Sequence, residues 1–172
     1  MELRFVAPSL RALDLAGTEV LVAPVATDVR PPRGVAGLVD YRLAGRISHL
    51  VASGFVSGRA GEVVMVPGRP RLPFDKILLL GEGPDEELDE PRFRALVLRL
   101  LELLEGLRAR TAVVQLPGRA GDRIPPERAT LLLLELARER EAHDLWTLIE
   151  PAEAQRRAAL QAAELRRQRR AE

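Results

Sequence analysis

Short apolar runs alternate along this chain with longer segments of helical spacing. The apolar runs predict six β-strands, because each is only a few residues long and is bounded by turn-forming or polar residues. They cover residues 3–6, 18–25, 62–66, 76–80, 111–116 and 144–149. The run 18–25 is almost continuously apolar, which is typical of a strand that helices cover on both faces.

Five further segments have the spacing or the end signals of helices. They cover residues 10–15, 35–54, 90–106, 125–139 and 151–172. Apolar side chains recur about every 3.6 residues between Val35 and Leu50, which predicts a helix or a pair of helices. Ser9 and Asp89 are predicted to cap the helices that follow them, since their side-chain oxygens can accept from free backbone N–H groups. Alternating strands and helices indicate an α/β fold with a mixed, largely parallel sheet.

The composition restricts the chemistry that the chain can carry out. Its 172 residues, 47% of them hydrophobic, suffice for one domain with its own core. The absence of cysteine excludes disulfide bonds, thiolate nucleophiles and cysteine-based metal sites. A net charge of +1 gives no general attraction to nucleic acid or to a membrane. Because we find neither a signal-peptide pattern nor an apolar run near the ~20 residues of a membrane span, we expect a cytoplasmic protein.

Several glycine-bounded motifs occur in a characteristic order between residues 34 and 116. They begin with Gly34-Val-Ala-Gly-Leu-Val-Asp40 and Gly54-Phe55-Val-Ser-Gly58-Arg-Ala-Gly61-Glu62, followed by an apolar run at 63–66. A strand and predicted turn, Ile77-Leu-Leu-Leu80-Gly81-Glu-Gly83, come next, and a strand at 112–116 completes the series. In this order the motifs resemble the N-terminal, non-peptidase domain of the leucyl aminopeptidase family, and the likeness covers roughly residues 18–116.

The resemblance implies a macro-domain-like fold, a three-layer α/β/α sandwich around a mixed six-stranded sheet. We expect residues 1–150 to form this unit and residues 151–172 to add an Arg- and Ala-rich helix. In the family, hydrolysis belongs to a separate C-terminal domain that holds two metal ions and carries an Asn-Thr-Asp-Ala-Glu-Gly-Arg-Leu signature. That signature does not occur here. The resemblance therefore implies a stand-alone, non-catalytic accessory or interaction domain with no metal and no cofactor. An enzyme, either a peptidase or a macro-type ADP-ribosyl hydrolase, is a further alternative, and we expect neither activity.

An alternative function is the binding of ADP-ribose or another phosphate-bearing molecule, as in macro domains. The candidate ligand-binding residues follow the second and fifth strands and are Asp28, Gly34, Gly37, Gly118, Arg119 and Gly121. The carboxyl ends of parallel strands, beside helix N-termini, are where ligands bind in open α/β sheets. In macro domains a Gly-rich loop that corresponds to the one after the fifth predicted strand holds a phosphate of ADP-ribose. Pro31, Pro32 and Arg33 replace much of the glycine run of macro domains, however, and bring bulk where backbone must approach closely.

The last predicted helix suggests a different kind of partner. Its arginines lie beside an alanine and leucine stripe that could pair with a second copy of the chain and form a dimer. A separately encoded protein is the other expected partner. We do not expect nucleic acid to bind, because no aromatic side chains interleave with the arginines for base stacking. His49 and His143 have no ligand partner at helical spacing, so we expect both to be partly exposed structural residues.

Overall fold

The computed structural model describes residues 1–171 and contains a six-stranded sheet between two layers of helices. The strands are β1 (Glu2–Val6), β2 (Val20–Ala26), β3 (Val63–Pro67), β4 (Lys76–Gly83), β5 (Thr111–Val114) and β6 (Leu145–Ile149). Their order in the sheet is β1-β6-β5-β2-β4-β3. Within the part of the chain described, β3 alone runs antiparallel to its neighbour. The predicted α/β sandwich with a mixed six-stranded sheet is confirmed.

Three helices cover each face of the sheet. Helices α1 (Leu10–Leu15), α2 (Gly34–Arg42) and α3 (Arg46–Ala52) pack on one face, and α4 (Glu90–Gly106), α5 (Pro126–Leu136) and α6 (Ala152–Ala171) form the layer on the other. Side chains that alternate along β2 serve the two layers in turn: Val20 and Val22 belong to the core beneath α4 and α5, and Leu21 and Ala23 to the core beneath the first three helices. This alternation follows from the pleat of a strand and explains why the whole run is apolar.

The helix ends follow the capping signals in the sequence. The Ser9 hydroxyl accepts a hydrogen bond from the Ala12 N–H at 3.2 Å, and Asp89 Oδ1 accepts one from the Arg92 N–H at 3.0 Å. The predicted segment 35–54 is a pair of helices, because Ala44 and Gly45 have φ angles of 56° and 80°. These left-handed conformations end α2 and set the direction of α3.

The segment Gly81-Glu82-Gly83 continues strand β4, so the prediction of a turn there was wrong. Gly81 lies opposite Val25 of β2, and the pairing with β2 continues past a register shift to Gly83. The backbone at Arg59 passes so close to Gly81 that a β-carbon at this position would collide with it. Glycine is needed here for the close approach of two chain segments and not for a reversal of direction.

Helix α6 packs against α5 through small side chains. Ala154, Ala158 and Ala162 are all buried, whereas Leu160 on another face of the helix is 68% exposed. Two alanines of the stripe that we predicted to pair with a second copy, Ala158 and Ala162, therefore pack inside the domain, whereas Ala159 of the same stripe is exposed. A dimer through α6 and a domain boundary at residue 150 both stay predictions, and such a dimer would have to use the face that carries Leu160.

The structure also tests the expected exposure of the two histidines and shows whether a helix could span a membrane. His143 is only 2% exposed, so the expectation of a partly exposed side chain was wrong for this residue, while His49 is exposed. Over residues 1–171, no helix combines the length and the apolar character needed to cross a bilayer.

Candidate functional site

The carboxyl ends of β2, β4, β5 and β6 meet at one edge of the sheet. Three loops leave this edge toward the helices: loop 27–33 after β2, loop 84–89 after β4 and loop 115–125 after β5. All six candidate ligand-binding residues lie in these loops or in the first turns of α2 beside them. The topology therefore brings together the segments that the sequence had assigned to one site.

Gly34 allows α2 to begin directly against loop 115–125. It has a φ angle of 63°, and a β-carbon at this position would lie only 2.5 Å from Gln115 Oε1 and 2.7 Å from the Ala120 β-carbon. The next residue, Val35, donates its backbone N–H to Gln115 Oε1 at 2.9 Å. A β-carbon at Gly37 would likewise meet the Pro32 carbonyl oxygen at 2.6 Å. Other parts of the chain therefore fill the space beside both glycines. A bound phosphate would need that space to be open.

One buried carboxylate joins all three loops. Asp85 accepts hydrogen bonds from Arg33 of loop 27–33, and from Arg123 of loop 115–125 through Nε at 2.9 Å and Nη2 at 2.5 Å. Its own backbone N–H donates to Asp28 Oδ1 at 3.0 Å. Burial by itself raises the pKa of Asp85, but the hydrogen bonds from Arg123 and Arg33 outweigh it and lower the pKa below the ordinary value. We call the Arg33–Asp85–Arg123 group the arginine clasp.

The two glycines of loop 115–125 pack against neighbouring side chains. Gly118 donates its N–H to Glu82 Oε2 at 2.8 Å. A β-carbon at Gly121 would collide with Arg33 and would lie 2.6 Å from Asp85 Oδ1. The predicted phosphate loop is therefore closed by its contacts with β4 and with the arginine clasp.

Arg119 is bound to the chain itself. Its Nε and Nη2 donate to the two carboxylate oxygens of Glu150 at 2.7 and 3.0 Å, and its Nη1 donates to the Ile124 carbonyl at 2.5 Å and to Asp122 at 2.7 Å. Burial alone would lower the pKa of Arg119, but Glu150 and Asp122 outweigh it and raise the pKa. Every guanidinium nitrogen of Arg119 therefore donates to the chain itself, and the side chain is 4% exposed.

Glu82 is a second buried carboxylate at this edge of the sheet, and it lies within β4. It is 4% exposed, and burial raises its pKa, although the hydrogen bond from Gly118 acts in the opposite direction. Its neighbours in space are Arg33, Ala120 and the end of β2, with which it lines a small cavity.

This cavity is the space that remains between the three loops. Its volume is about 10 Å³, close to that of a single water molecule. Ligand pockets for small molecules measure roughly 300–1,000 Å³. In the observed arrangement the space between the loops is smaller than a nucleotide, because Arg33 and the side chain of Ala120 line it closely.

The acidic and histidine side chains were compared for a possible metal site. Within residues 1–171, no three of them lie close enough together to hold a metal ion. Lys76, the only lysine of the chain, donates to Glu19 Oε1 at 2.8 Å at the opposite, amino-terminal end of β4.

Sequence reasoning found the loops but missed the side chains that close them. Asp85 lies in an acidic run, Glu82 lies between two glycines that suggested a turn, and Gln115 follows an apolar strand. The sequence signal that could have revealed one of these residues is a polar side chain at the end of a buried strand, and Gln115 has this position. The ligand-binding role of the six candidate residues stays a prediction.

Solved structures with a similar fold are macrodomains. The macrodomain of Thermus aquaticus DarG superposes with a TM-score of 0.64 and 19% identity, over 87% of this chain and 98% of that one. The Oceanobacillus iheyensis macrodomain with ADP gives a TM-score of 0.69 and 15% identity, over 96% of this chain and 92% of that one. At these identities the likeness shows a shared fold.

Curated relatives with similar sequences are cytosol aminopeptidases. A Pseudomonas fluorescens protein named "Probable cytosol aminopeptidase" is 36% identical over 45% of this chain, and the "Cytosol aminopeptidase" of Pseudomonas aeruginosa is 31% identical over 47% of it. The chain spans 16% of the length of each of these two relatives.

The match to a family model is more extensive than either pairwise similarity. The model of the cytosol aminopeptidase family, N-terminal domain, matches residues 26–140, which are more than half of the chain. This range includes the carboxyl ends of β2, β4 and β5 together with the arginine clasp. The chain therefore belongs to the cytosol aminopeptidase family, as a representative of its N-terminal domain.

Proposed function

We propose that this chain is a non-catalytic accessory domain that interacts with protein and not with nucleotide. The arginine clasp is the observation that carries the proposal. It occupies the cleft at the carboxyl ends of the strands, the place where an open α/β sheet would bind a ligand.

Opening the cleft would be costly. A nucleotide could enter only if Arg33 and Arg123 left Asp85, whose side chain is 6% exposed and would keep an unpaired charge. Removing one partner of a fully buried ion pair costs about 3–5 kcal/mol, and the cost here is lower because Arg33 and Arg123 are partly exposed. Any ligand that needs the open form binds more weakly in proportion to the small population of that form.

The chemistry at this edge also supports a non-catalytic role. The four carboxylates at this edge already accept hydrogen bonds from other groups of the chain; they belong to Asp28, Glu82, Asp85 and Glu150. His143 precedes β6 at the opposite edge of the sheet, too far along the strand to act as a base here. The names of the curated relatives suggest a cytosolic location, which we extend to this chain as part of the proposal.

A thermal-unfolding assay with ADP-ribose and ADP tests the proposal. A ligand present at about 100-fold its Kd stabilises a protein by roughly 2.7 kcal/mol. We expect no stabilisation of this chain, and the Oceanobacillus iheyensis macrodomain with ADP provides the positive control. A concentration-dependent rise in Tm for this chain would refute the proposal.

A nucleotide-binding module is the second candidate, favoured by the macrodomain fold and by the convergence of the three loops. In this case Arg33 and Arg123 would turn from Asp85 to the phosphates, because planar guanidinium groups bind phosphate oxygens well. The candidate predicts a Tm rise with ADP-ribose that Arg123→Gln abolishes. Arg71→Gln, an exposed arginine away from the cleft, is the matched control that should leave the rise unchanged.

A further inference from the structure

We infer that His143 makes loop 137–144 a pH-sensitive element, which protonation of the imidazole releases from the end of α4 and from Trp146. The loop joins α5 to β6 and lies at the amino ends of the strands, the edge opposite the arginine clasp. Most of its residues are exposed or partly exposed, but the side chain of His143 has no exposed surface. A group that can take up a proton near neutral pH is thus enclosed in an otherwise open loop.

The neutral imidazole uses one of its two nitrogens. Its Nε2 lies 3.2 Å from Glu105 Oε1 at the end of α4. Arg140 Nη1 donates to both oxygens of Glu105 at 2.9 Å and lowers the pKa of that carboxyl, so Glu105 is charged and can only accept. We therefore assign the imidazole proton to Nε2. Nδ1 is buried, and within residues 1–171 it has no hydrogen-bond partner.

The imidazole also packs against Trp146. The two rings lie at 88° to each other, edge to face, with their centroids 5.4 Å apart. Trp146 is fully buried in the core beneath α4 and α5, and its Nε1 has no partner in the described part of the chain either. An indole N–H donates and cannot accept. Trp146 therefore offers no acceptor to the second proton that a charged His143 would carry on Nδ1.

The charged groups around His143 act in opposite directions. Burial has the largest effect and lowers the pKa of His143 below the ordinary value of 6.5, and Arg140 and the amino group of Met1 lower it further. Glu105 raises the pKa through its hydrogen bond and its charge, but does not outweigh burial. Asp144, the next residue, accepts hydrogen bonds from the arginine that precedes β5. The surroundings of the ring thus favour the neutral form.

A histidine of this kind stabilises the closed loop at neutral pH. Its contribution is complete above the ordinary pKa of 6.5 and is lost as the pH falls through the lower pKa of the folded state, because an open loop takes up the proton first. Ala137 and His143 are the buried side chains of the loop, so it can open without unfolding the core. Opening brings the imidazole into water and uncovers the indole of Trp146.

The other ion pairs of the loop do not prevent this opening. Arg140 and Glu105 are partly exposed, and Asp144 and Arg110 are more than half exposed. Exposed pairs contribute roughly 0–1 kcal/mol. The inference concerns the edge of the sheet opposite the arginine clasp and does not depend on the proposed function. Either can therefore fail without the other.

The emission of Trp146 tests the inference, because Trp146 is the only tryptophan of the chain. As the pH is lowered from about 8 to about 5, we expect a reversible shift to longer wavelength with an unchanged far-UV circular dichroism spectrum. His143→Gln should abolish the shift, since glutamine can still donate to Glu105 but takes up no proton in this range. His49→Gln, which replaces the other, exposed histidine, is the matched control and should retain it.

Glu105→Gln provides a second test that holds even if His143→Gln does not fold. The Glu105 carboxylate favours the charged imidazole, so its loss should move the midpoint of the shift to lower pH. The inference is overturned if the emission stays constant down to about pH 5, or if the shift survives His143→Gln or disappears in His49→Gln. It is also overturned if Glu105→Gln leaves the midpoint unchanged or raises it, or if the far-UV spectrum changes together with the emission.

Discussion

Arg119 and Glu150 form a two-pronged ion pair in which both side chains are almost completely buried. The two hydrogen bonds measure 2.7 and 3.0 Å, and they join loop 115–125 to the residue that follows β6. The remaining guanidinium nitrogen bonds to the Ile124 carbonyl and to Asp122. Arg119, which the sequence suggested as a ligand contact, thus holds the loop to the sheet, and this has consequences for stability.

Removing either member of this pair should destabilise the fold strongly. Arg119→Met is expected to lower the free energy of unfolding by about 3 kcal/mol, because it leaves Glu150 charged and buried without its partner. Chemical denaturation monitored by circular dichroism measures the loss. Arg119→Met combined with Glu150→Leu should cost less than the sum of the two single variants. Arg110→Met, in an exposed pair with Asp144, is the control and should have a much smaller effect.

Asp85 should make the stability of the domain depend on pH. Its pKa is lower in the folded state than the ordinary value of 3.8. A carboxylate of this kind stabilises the fold above its unfolded pKa, and the contribution is lost as the pH falls through the folded pKa. Asp85→Asn should therefore cost about 2 kcal/mol at neutral pH, somewhat below the value for a fully buried pair because both arginines are partly exposed.

The difference between wild type and Asp85→Asn should shrink as the pH is lowered below 3.8. Denaturant titrations of both proteins across the acid range measure it. Asp75→Asn, which removes the exposed partner of Arg69, is the control, and its free energy of unfolding should stay close to that of the wild type at any pH. A difference that stays constant into strong acid would contradict the assignment.

Gly34 should tolerate substitution much less well than other glycines of the same conformation. Gly34 and Gly61 have φ angles of 63° and 84°, so alanine is strained at both by about 1 kcal/mol. A β-carbon at Gly61 meets open space, whereas one at Gly34 collides with Gln115 and Ala120. Gly34→Ala is therefore expected to cost at least about 3 kcal/mol, the sum of strain and overpacking. Gly34→Ala and Gly61→Ala are compared by denaturant titration. Equal decreases in the free energy of unfolding would show that the contact of Gly34 with loop 115–125 is loose.

The docking of α6 can be tested with two adjacent alanines. Ala158 is 1% exposed against α5, and Ala159 is exposed to solvent. Ala158→Glu buries an unpaired carboxylate and should lower the unfolding free energy by about 3 kcal/mol, while Ala159→Glu should change it by less than about 0.5 kcal/mol. Limited proteolysis should cleave α6 faster in the first variant alone. If α6 were loosely attached, both variants would behave like wild type.

The elements of this fold were predictable because their signals are local. The apolar run of β2, the caps at Ser9 and Asp89 and the helical spacing after Val35 each depend on a few neighbouring residues. Glycine is less informative, since the same residue serves a turn or a close approach. For this reason Gly81-Glu82-Gly83 suggested a turn, although its conformation is set by a segment more than twenty residues earlier in the chain.

The α/β class, the order of strands and helices and the loops at which a site could form were predictable from the amino-acid pattern, because periodicity and capping depend on neighbours in the chain. The closure of these loops by ion pairs depends on contacts between residues that are far apart in the chain. In the arginine clasp, Asp85 lies 52 positions from Arg33 and 38 positions from Arg123 along the chain. Arg119 and Glu150 are 31 positions apart. Such pairs form when the fold brings distant loops to one edge of the sheet and burial makes an unpaired charge costly.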